Sequence, residues 1–165
     1  MARKKSGGGT PATVVLDRAG IPYVLRGYEH DPAVRSFGLE AAEALGVDPE
    51  RVLKTLLVQG EDGLGVGIVP VVAQLDLKAV AAALGVKKVA MADPRAAERA
   101  TGYVVGGISP LGQKKALPTV LDSSALGYDA VLVSGGRRGL DLELAPADLV
   151  AVTSATVAAI AREGR

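Results

Sequence analysis

Cysteine and tryptophan are absent from this 165-residue chain, and histidine occurs once. Without a thiol, the chain has no disulfide, no zinc–thiolate cluster and no cysteine nucleophile. The one histidine, His30, would have to serve any Ser/His/Asp triad, yet it stands in "YEHDP", which reads as a turn entering a loop. Its expected role is structural or solvated. Aromatic residues make up 3% of the chain, so the core has to be packed from Val, Leu, Ile and Ala. No grouping of His, Asp and Glu has metal-ligand spacing, and neither a P-loop nor a dinucleotide fingerprint follows any strand, so no metal or cofactor is expected. Long apolar runs are also missing. Nothing approaches the roughly 18 residues of a membrane span, and the start "MARKKSGGGT" is basic but lacks the apolar centre of a secretory signal. A soluble protein in the cytoplasm is the expectation. The formal net charge of +1 is too small for general nucleic-acid binding, so a polyanion would have to meet a local basic patch.

What is present is apolar and well punctuated. With 48% hydrophobic residues the chain can build one core, which argues for one domain. Residues 1–9 read as a disordered basic and glycine-rich tail, and residues 10–165 as the domain. Thr10 caps a first helix with Pro11 at its first position and Gly20 past its end. "IPYVLRGY" is strand-like, "SFGLEAAEALG" is a helix stopped by Gly46, and Asp48–Pro49 begins a tight single turn. "RVLKTLLV" and "LGVGIVPV" are buried-looking strands, followed by a helix from Asp76 to Gly85 and a further Asp-Pro helix start at Asp93 and Pro94. Beyond a glycine-rich loop come "PTVLD", "DAVLVS" and "LDLEL", where alternating Leu140, Leu142 and Leu144 suggest a half-exposed strand. A last helix is expected around residues 154–162. Short-turned strands interspersed with helices indicate an α+β single domain with a mixed, curved sheet flanked by helices.

Two features break their local patterns. Lys54 sits inside the Val/Leu-rich "RVLKTLLV", so it either extends its stem to solvent or points into a cleft with an anionic or carbonyl partner. In "VVGGISP", Gly106 and Gly107 would let the backbone approach a ligand closely, and Pro110 fixes the exit. Most such loops are simply turns.

Taken in order, "YEHDP", "KTLLV", "QLDLKAVAAALG", "MADP", "TGYVVGGISPLGQKK" and "VSGGRRGLDLEL" resemble the YbaK family of aminoacyl-tRNA editing deacylases, relatives of the editing domain inserted into bacterial prolyl-tRNA synthetase. The resemblance spans about residues 11–162 and is strongest to the free-standing Cys-tRNA(Pro) deacylases. It implies a barrel-like curved sheet and a trans-editing deacylase that removes cysteine from mischarged Cys-tRNA(Pro). It implies catalytic roles for Lys54, Gly106 and Asp141, and substrate contacts from Tyr28, Gly107, Ile108, Ser109, Pro110 and Ser134. Read without the resemblance, Tyr28 could pack at a strand end, Ser134 could bond its own turn, and Asp141 could be a solvated strand carboxylate.

The chemistry implied suits the missing nucleophiles, because the substrate's own thiol attacks its ester carbonyl and the protein supplies position. Lys114, Lys115, Arg137 and Arg138 flank the implied pocket in sequence and could meet tRNA phosphates, or could form an ordinary solvated surface. Implied partners are aminoacyl-tRNA and prolyl-tRNA synthetase. Two other readings stay open: a non-catalytic adaptor for aminoacyl-tRNA or the synthetase, and a deacylase with another preference, such as Ala-tRNA(Pro).

Overall fold

The structure, a computed structural model, describes residues 9–34 and 36–163; residues 1–8, most of the expected tail, lie outside the described residues. Side-chain oxygens start several of the helices. For α1 (Pro11–Ala19), the Thr10 hydroxyl accepts the Thr13 N–H at 3.3 Å and the Thr13 hydroxyl accepts the Thr10 N–H at 3.1 Å, a reciprocal cap. The Thr10 hydroxyl also donates to the Gly135 carbonyl at 2.6 Å, which ties this first helix to a strand late in the chain. Helix α2 (Phe37–Leu45) stops at Gly46, and a single turn of 3₁₀ helix, Pro49–Arg51, follows the Asp48 cap. Asp76 and Asp93 cap α3 (Leu77–Leu84) and α4 (Pro94–Thr101) by accepting the Ala79 and Ala96 N–H groups. Helix α5 is Pro146–Thr153.

The strands are β1 (Val24–Gly27), β2 (Leu53–Gly60), β3 (Gly63–Pro70), β4 (Ala73–Leu75), β5 (Val89–Met91), β6 (Thr119–Asp122), β7 (Val131–Arg137), β8 (Leu140–Leu144), β9 (Thr156–Ala158) and β10 (Ala161–Glu163). Among the described residues they form three sheets, ordered β5–β2–β3–β6–β9, β1–β8–β7 and β10–β4. The largest is mixed: β6 runs parallel to both β3 and β9, whereas β2 pairs antiparallel with β3 and β5. A parallel bridge between Val52 and Leu132 joins the two larger sheets where β2 begins. The main core lies between those sheets, with Leu53, Leu57, Ile68 and Leu121 on one side, Val131, Val133 and Leu142 on the other, and Leu16 of α1 and Leu149 of α5 closing it. A second cluster on the far side of the large sheet packs Val58, Val69 and Val120 against Val80 of α3. Each such Val or Leu contributes roughly 1.5–3 kcal/mol by leaving water. Among the described residues, no helix is long and apolar enough to cross a membrane.

Two expectations are corrected. The last helix lies earlier than residues 154–162, at Pro146–Thr153, and residues beyond it form β9 and β10. Pro146 pre-sets the first helical position, and Ser154 adopts a left-handed φ of 56° that ends the helix. The Asp122 carboxylate then accepts the Ile160 and Ala161 N–H groups at 2.8 and 2.9 Å, taking donors that a helix would have used internally. Strand β8 is also more deeply buried than its leucine alternation suggests. Leu140, Leu142 and Leu144 face the interior, and Asp141 on the opposite face is covered as well.

Candidate functional site

A cavity of about 400 Å³ opens where the first residues of β2 meet β7, β8, the glycine loop and the start of α2. Lys54, Tyr28, Gly106, Ile108, Ser134 and Asp141 all line it, so the structure brings together residues spread over more than half of the chain. Phe37 and Met91, which the sequence did not single out, line it too.

Register explains how β8 delivers its carboxyl. Arg26 of β1 and Ser134 of β7 are the partners directly opposite Asp141, so the three residues form one row across the sheet. Just past that row the β7–β8 register shifts, and the Ser134 hydroxyl accepts the Gly136 N–H at 3.2 Å. Asp141 is 6% exposed. Burial pushes its carboxyl up to about 7, against the opposing pull of the Arg26 charge. Burial, followed by the neighbouring Asp141 charge, pushes the Tyr28 hydroxyl up to about 12. Lys54 is half-buried and has no ion pair or hydrogen bond among the described residues, and burial alone holds its ammonium below the usual lysine range. Of the two readings open to Lys54, the structure has the one that faces a cleft.

The glycine loop is pressed against the protein as well as against the cavity. Gly106 has φ of +91°, and a Cβ there would lie 2.7 Å from Arg138 Nε and 3.0 Å from the Phe37 ring. At Gly107 an added Cβ would come within 2.8 Å of the Arg137 Cα. Gly107, Ser109 and Pro110 stand outside the cavity lining. Ser109 and Pro110 are buried beneath the loop, where the Ser109 hydroxyl accepts the Leu111 N–H at 3.2 Å, so they shape the loop from behind.

Lys114, Lys115, Arg137 and Arg138 are all exposed. Arg138 is nonetheless committed to the protein: its guanidinium donates twice to the Val105 carbonyl, at 3.0 and 2.6 Å, and lies 4.8 Å from the centre of the Phe37 ring. His30 stays outside the cavity lining, its Nδ1 2.8 Å from Glu40 Oε1. Thr55 lines the cavity, and its buried hydroxyl has no hydrogen-bond partner among the described residues. No sequence signal distinguishes Thr55 from an ordinary strand residue. Among the described residues, no group of three or more His, Asp or Glu side chains could hold a metal ion.

The arrangement is an apolar-walled recess with a titratable carboxyl, a desolvated ammonium and free backbone at a glycine. It suits recognition of a small polar group through a few fixed contacts. Comparison with known proteins identifies the family. The profile of a family described as "Aminoacyl-tRNA editing domain" matches residues 31–152. A protein of Enterococcus faecalis that carries the name of a Cys-tRNA(Pro)/Cys-tRNA(Cys) deacylase is 39% identical over 162 residues, 97% of this chain and 98% of that protein. A proline–tRNA ligase of Thermosipho melanesiensis is 34% identical over 109 residues, which are 66% of this chain but 19% of the ligase. A crystal structure titled as a trans-editing enzyme for prolyl tRNA synthetase superimposes with a TM-score of 0.81 at 28% identity, covering 96% of this chain and 99% of that one.

Proposed function

The chain belongs to the aminoacyl-tRNA editing domain family, and from that premise we propose that it is a trans-editing deacylase that removes cysteine from mischarged Cys-tRNA(Pro). The observation that carries this reading is the convergence of Lys54, Gly106, Ser134, Asp141 and Tyr28 on one cavity, in a chain that aligns end to end with a relative of that name.

The reaction needs no nucleophile from the protein. The cysteine thiolate attacks its own ester carbonyl, the bond from that carbonyl to the ribose oxygen breaks, and that oxygen takes up the proton the thiol gave up, becoming the ribose hydroxyl. A cyclic thiolactone leaves, and water opens it to free cysteine. A thiol with a pKa near 8.5 is already a few per cent ionised at neutral pH, and holding it against its carbonyl contributes several kcal/mol, or about 7–11 kcal/mol in the best-oriented intramolecular cases. In this reading Lys54 and the Gly106 backbone hold the ester end, whereas Asp141, Ser134 and Tyr28 hold the amino-acid end. Exposed Lys114 and Lys115 are left to meet acceptor-stem phosphates, and prolyl-tRNA synthetase supplies the choice of tRNA. The work is done in the cytoplasm, where charged tRNA is made and used.

Single-turnover deacylation of Cys-, Ser-, Ala- and Pro-tRNA(Pro), with trapping of the released product, tests the reading. Cys-tRNA(Pro) is expected to be cleaved far faster than Ser-tRNA(Pro), although serine is the smaller side chain, because a hydroxyl needs a strong base to attack. Alkylating the substrate sulfur abolishes cleavage, and His30→Ala leaves the rate unchanged. Fast cleavage of Ser-tRNA(Pro) would replace the thiol with an activated water, faster cleavage of Ala-tRNA(Pro) would reassign the substrate, and binding without cleavage would make the protein an adaptor.

A further inference from the structure

We propose that Glu98 and Arg138 are positioning residues that clamp Val105, one through its N–H and the other through its carbonyl, and thereby aim the Gly106 backbone at the cavity; this rests on the deacylase reading above. Neither residue is needed by the chemistry as described, and Arg138 stood among the candidate phosphate contacts.

The geometry is specific. The Val105 N–H donates to Glu98 Oε2 at 2.9 Å, and the Val105 carbonyl accepts both Arg138 hydrogen bonds, at 3.0 and 2.6 Å. One side chain comes from α4 and the other from the turn between β7 and β8, and the two form no ion pair with each other. The carbonyl that Arg138 holds belongs to the same planar peptide as the Gly106 N–H, so fixing one fixes the direction of the other. The Gly107 N–H is already used, donating to the Val104 carbonyl at 2.8 Å. The Gly106 N–H has no partner among the described residues, and Gly106 lines the cavity. A donor aimed before substrate arrives needs no reorganisation during the reaction. Stacking of Arg138 on Phe37 extends the clamp to α2, whose first residues form another wall of the cavity.

The experiment measures single-turnover deacylation of Cys-tRNA(Pro) at saturating and subsaturating protein, across a salt series, for wild type, Arg138→Ala, Arg138→Lys, Glu98→Ala and Glu98→Gln. Amide hydrogen exchange at Val105 and Gly107 is followed in the same proteins. Arg138→Ala and Glu98→Ala are expected to lower the saturating rate roughly 10- to 100-fold with an unchanged salt slope. Glu98→Gln keeps an acceptor and restores the rate; Arg138→Lys keeps the charge but loses the two-bond grip and falls between. Val105 exchange should accelerate in Glu98→Ala and stay slow in Glu98→Gln, and Gly107 exchange should accelerate in Arg138→Ala. An unchanged saturating rate with a flattened salt slope in Arg138→Ala would make Arg138 a phosphate ligand and overturn the proposal. Wild-type rates in all four variants would overturn it too. Should the wild type fail to deacylate, the functional reading falls, and exchange judges the clamp alone: unaltered protection in the variants refutes it.

Discussion

Asp141 and Glu143 stand two residues apart on β8, on the same side of the strand, yet their carboxyls are driven in opposite directions. Glu143 accepts from Arg51 at 2.8 Å and also from Arg26. The Arg51 bond, with Arg26 adding to it, holds its carboxyl below the ordinary glutamate range despite the cost of burial. Asp141 is the cross-strand neighbour of Arg26, but that guanidinium is engaged by Glu143, and burial dominates. The paired carboxylate joins β1, β8 and the turn at Pro49–Arg51; the unpaired one faces the cavity. The cations divide the same way: Arg138 is bonded to Val105, whereas Lys54 is half-buried and alone among the described residues. A desolvated charge without a partner is costly, and sites that recognise ligands are where such groups are kept.

The largest effect should come from neutralising the unpaired carboxyl. Folded Asp141 takes up its proton near 7, against 3.8 for the ordinary group, so between those values the native state binds more protons than the unfolded one. Stability from this residue therefore falls as pH rises through that window, and above it the wild type carries the full penalty, on the order of 4 kcal/mol at most. Asp141→Asn should match wild type near pH 4 and exceed it at pH 8 in urea unfolding, while losing deacylation. Equal stability at both pH values would show that Arg26 pairs with Asp141 after all.

Lys54→Ala should follow in size, cutting single-turnover deacylation by roughly 100-fold, equivalent to about 2.7 kcal/mol. Its melting temperature should be unchanged or higher, because no ion pair is lost. Normal turnover by this folded variant would remove Lys54 from the site. Glu143→Gln reverses the pattern. It should cost roughly 1–3 kcal/mol of stability at neutral pH by loosening two guanidinium contacts. Because the folded carboxyl is depressed, that contribution is present above the ordinary value of 4.5 and vanishes as pH falls through the lower folded value. Arg26, released, should draw the Asp141 titration downward, moving the corresponding limb of the pH–rate profile to lower pH. The smallest effect should come from Lys114→Gln with Lys115→Gln. Losing two phosphate contacts lowers the salt slope of tRNA binding by at most about two, with no change in the saturating rate.

Most element boundaries were legible because they are set locally. Thr10, Asp48, Asp76 and Asp93 accept the first N–H groups of their helices or turn, and Gly20, Gly46 and Gly85 end theirs, all within a few residues of chain. The sequence places the last helix too late because "SATVAAIA" has no local conflict with helix. What decides against it is Asp122, a residue 38 positions away from Ile160, which captures the backbone donors of that segment.

Likewise, the residue inventory alone limits what the site can use: no thiol, a single histidine, a lysine in an apolar strand and a pair of glycines, together with a family pattern that names Tyr28, Ser134 and Asp141. Which charges are paired depends on how the segments pack. Arg26 lies opposite Asp141 yet bonds Glu143, Arg138 turns to Val105, and Glu98 reaches the same residue from another helix. The reason is physical. A cap or a strand period depends on neighbours along the chain, whereas desolvation and hydrogen-bond partnership depend on which segments fold against one another, and a sequence read residue by residue contains no distances between them.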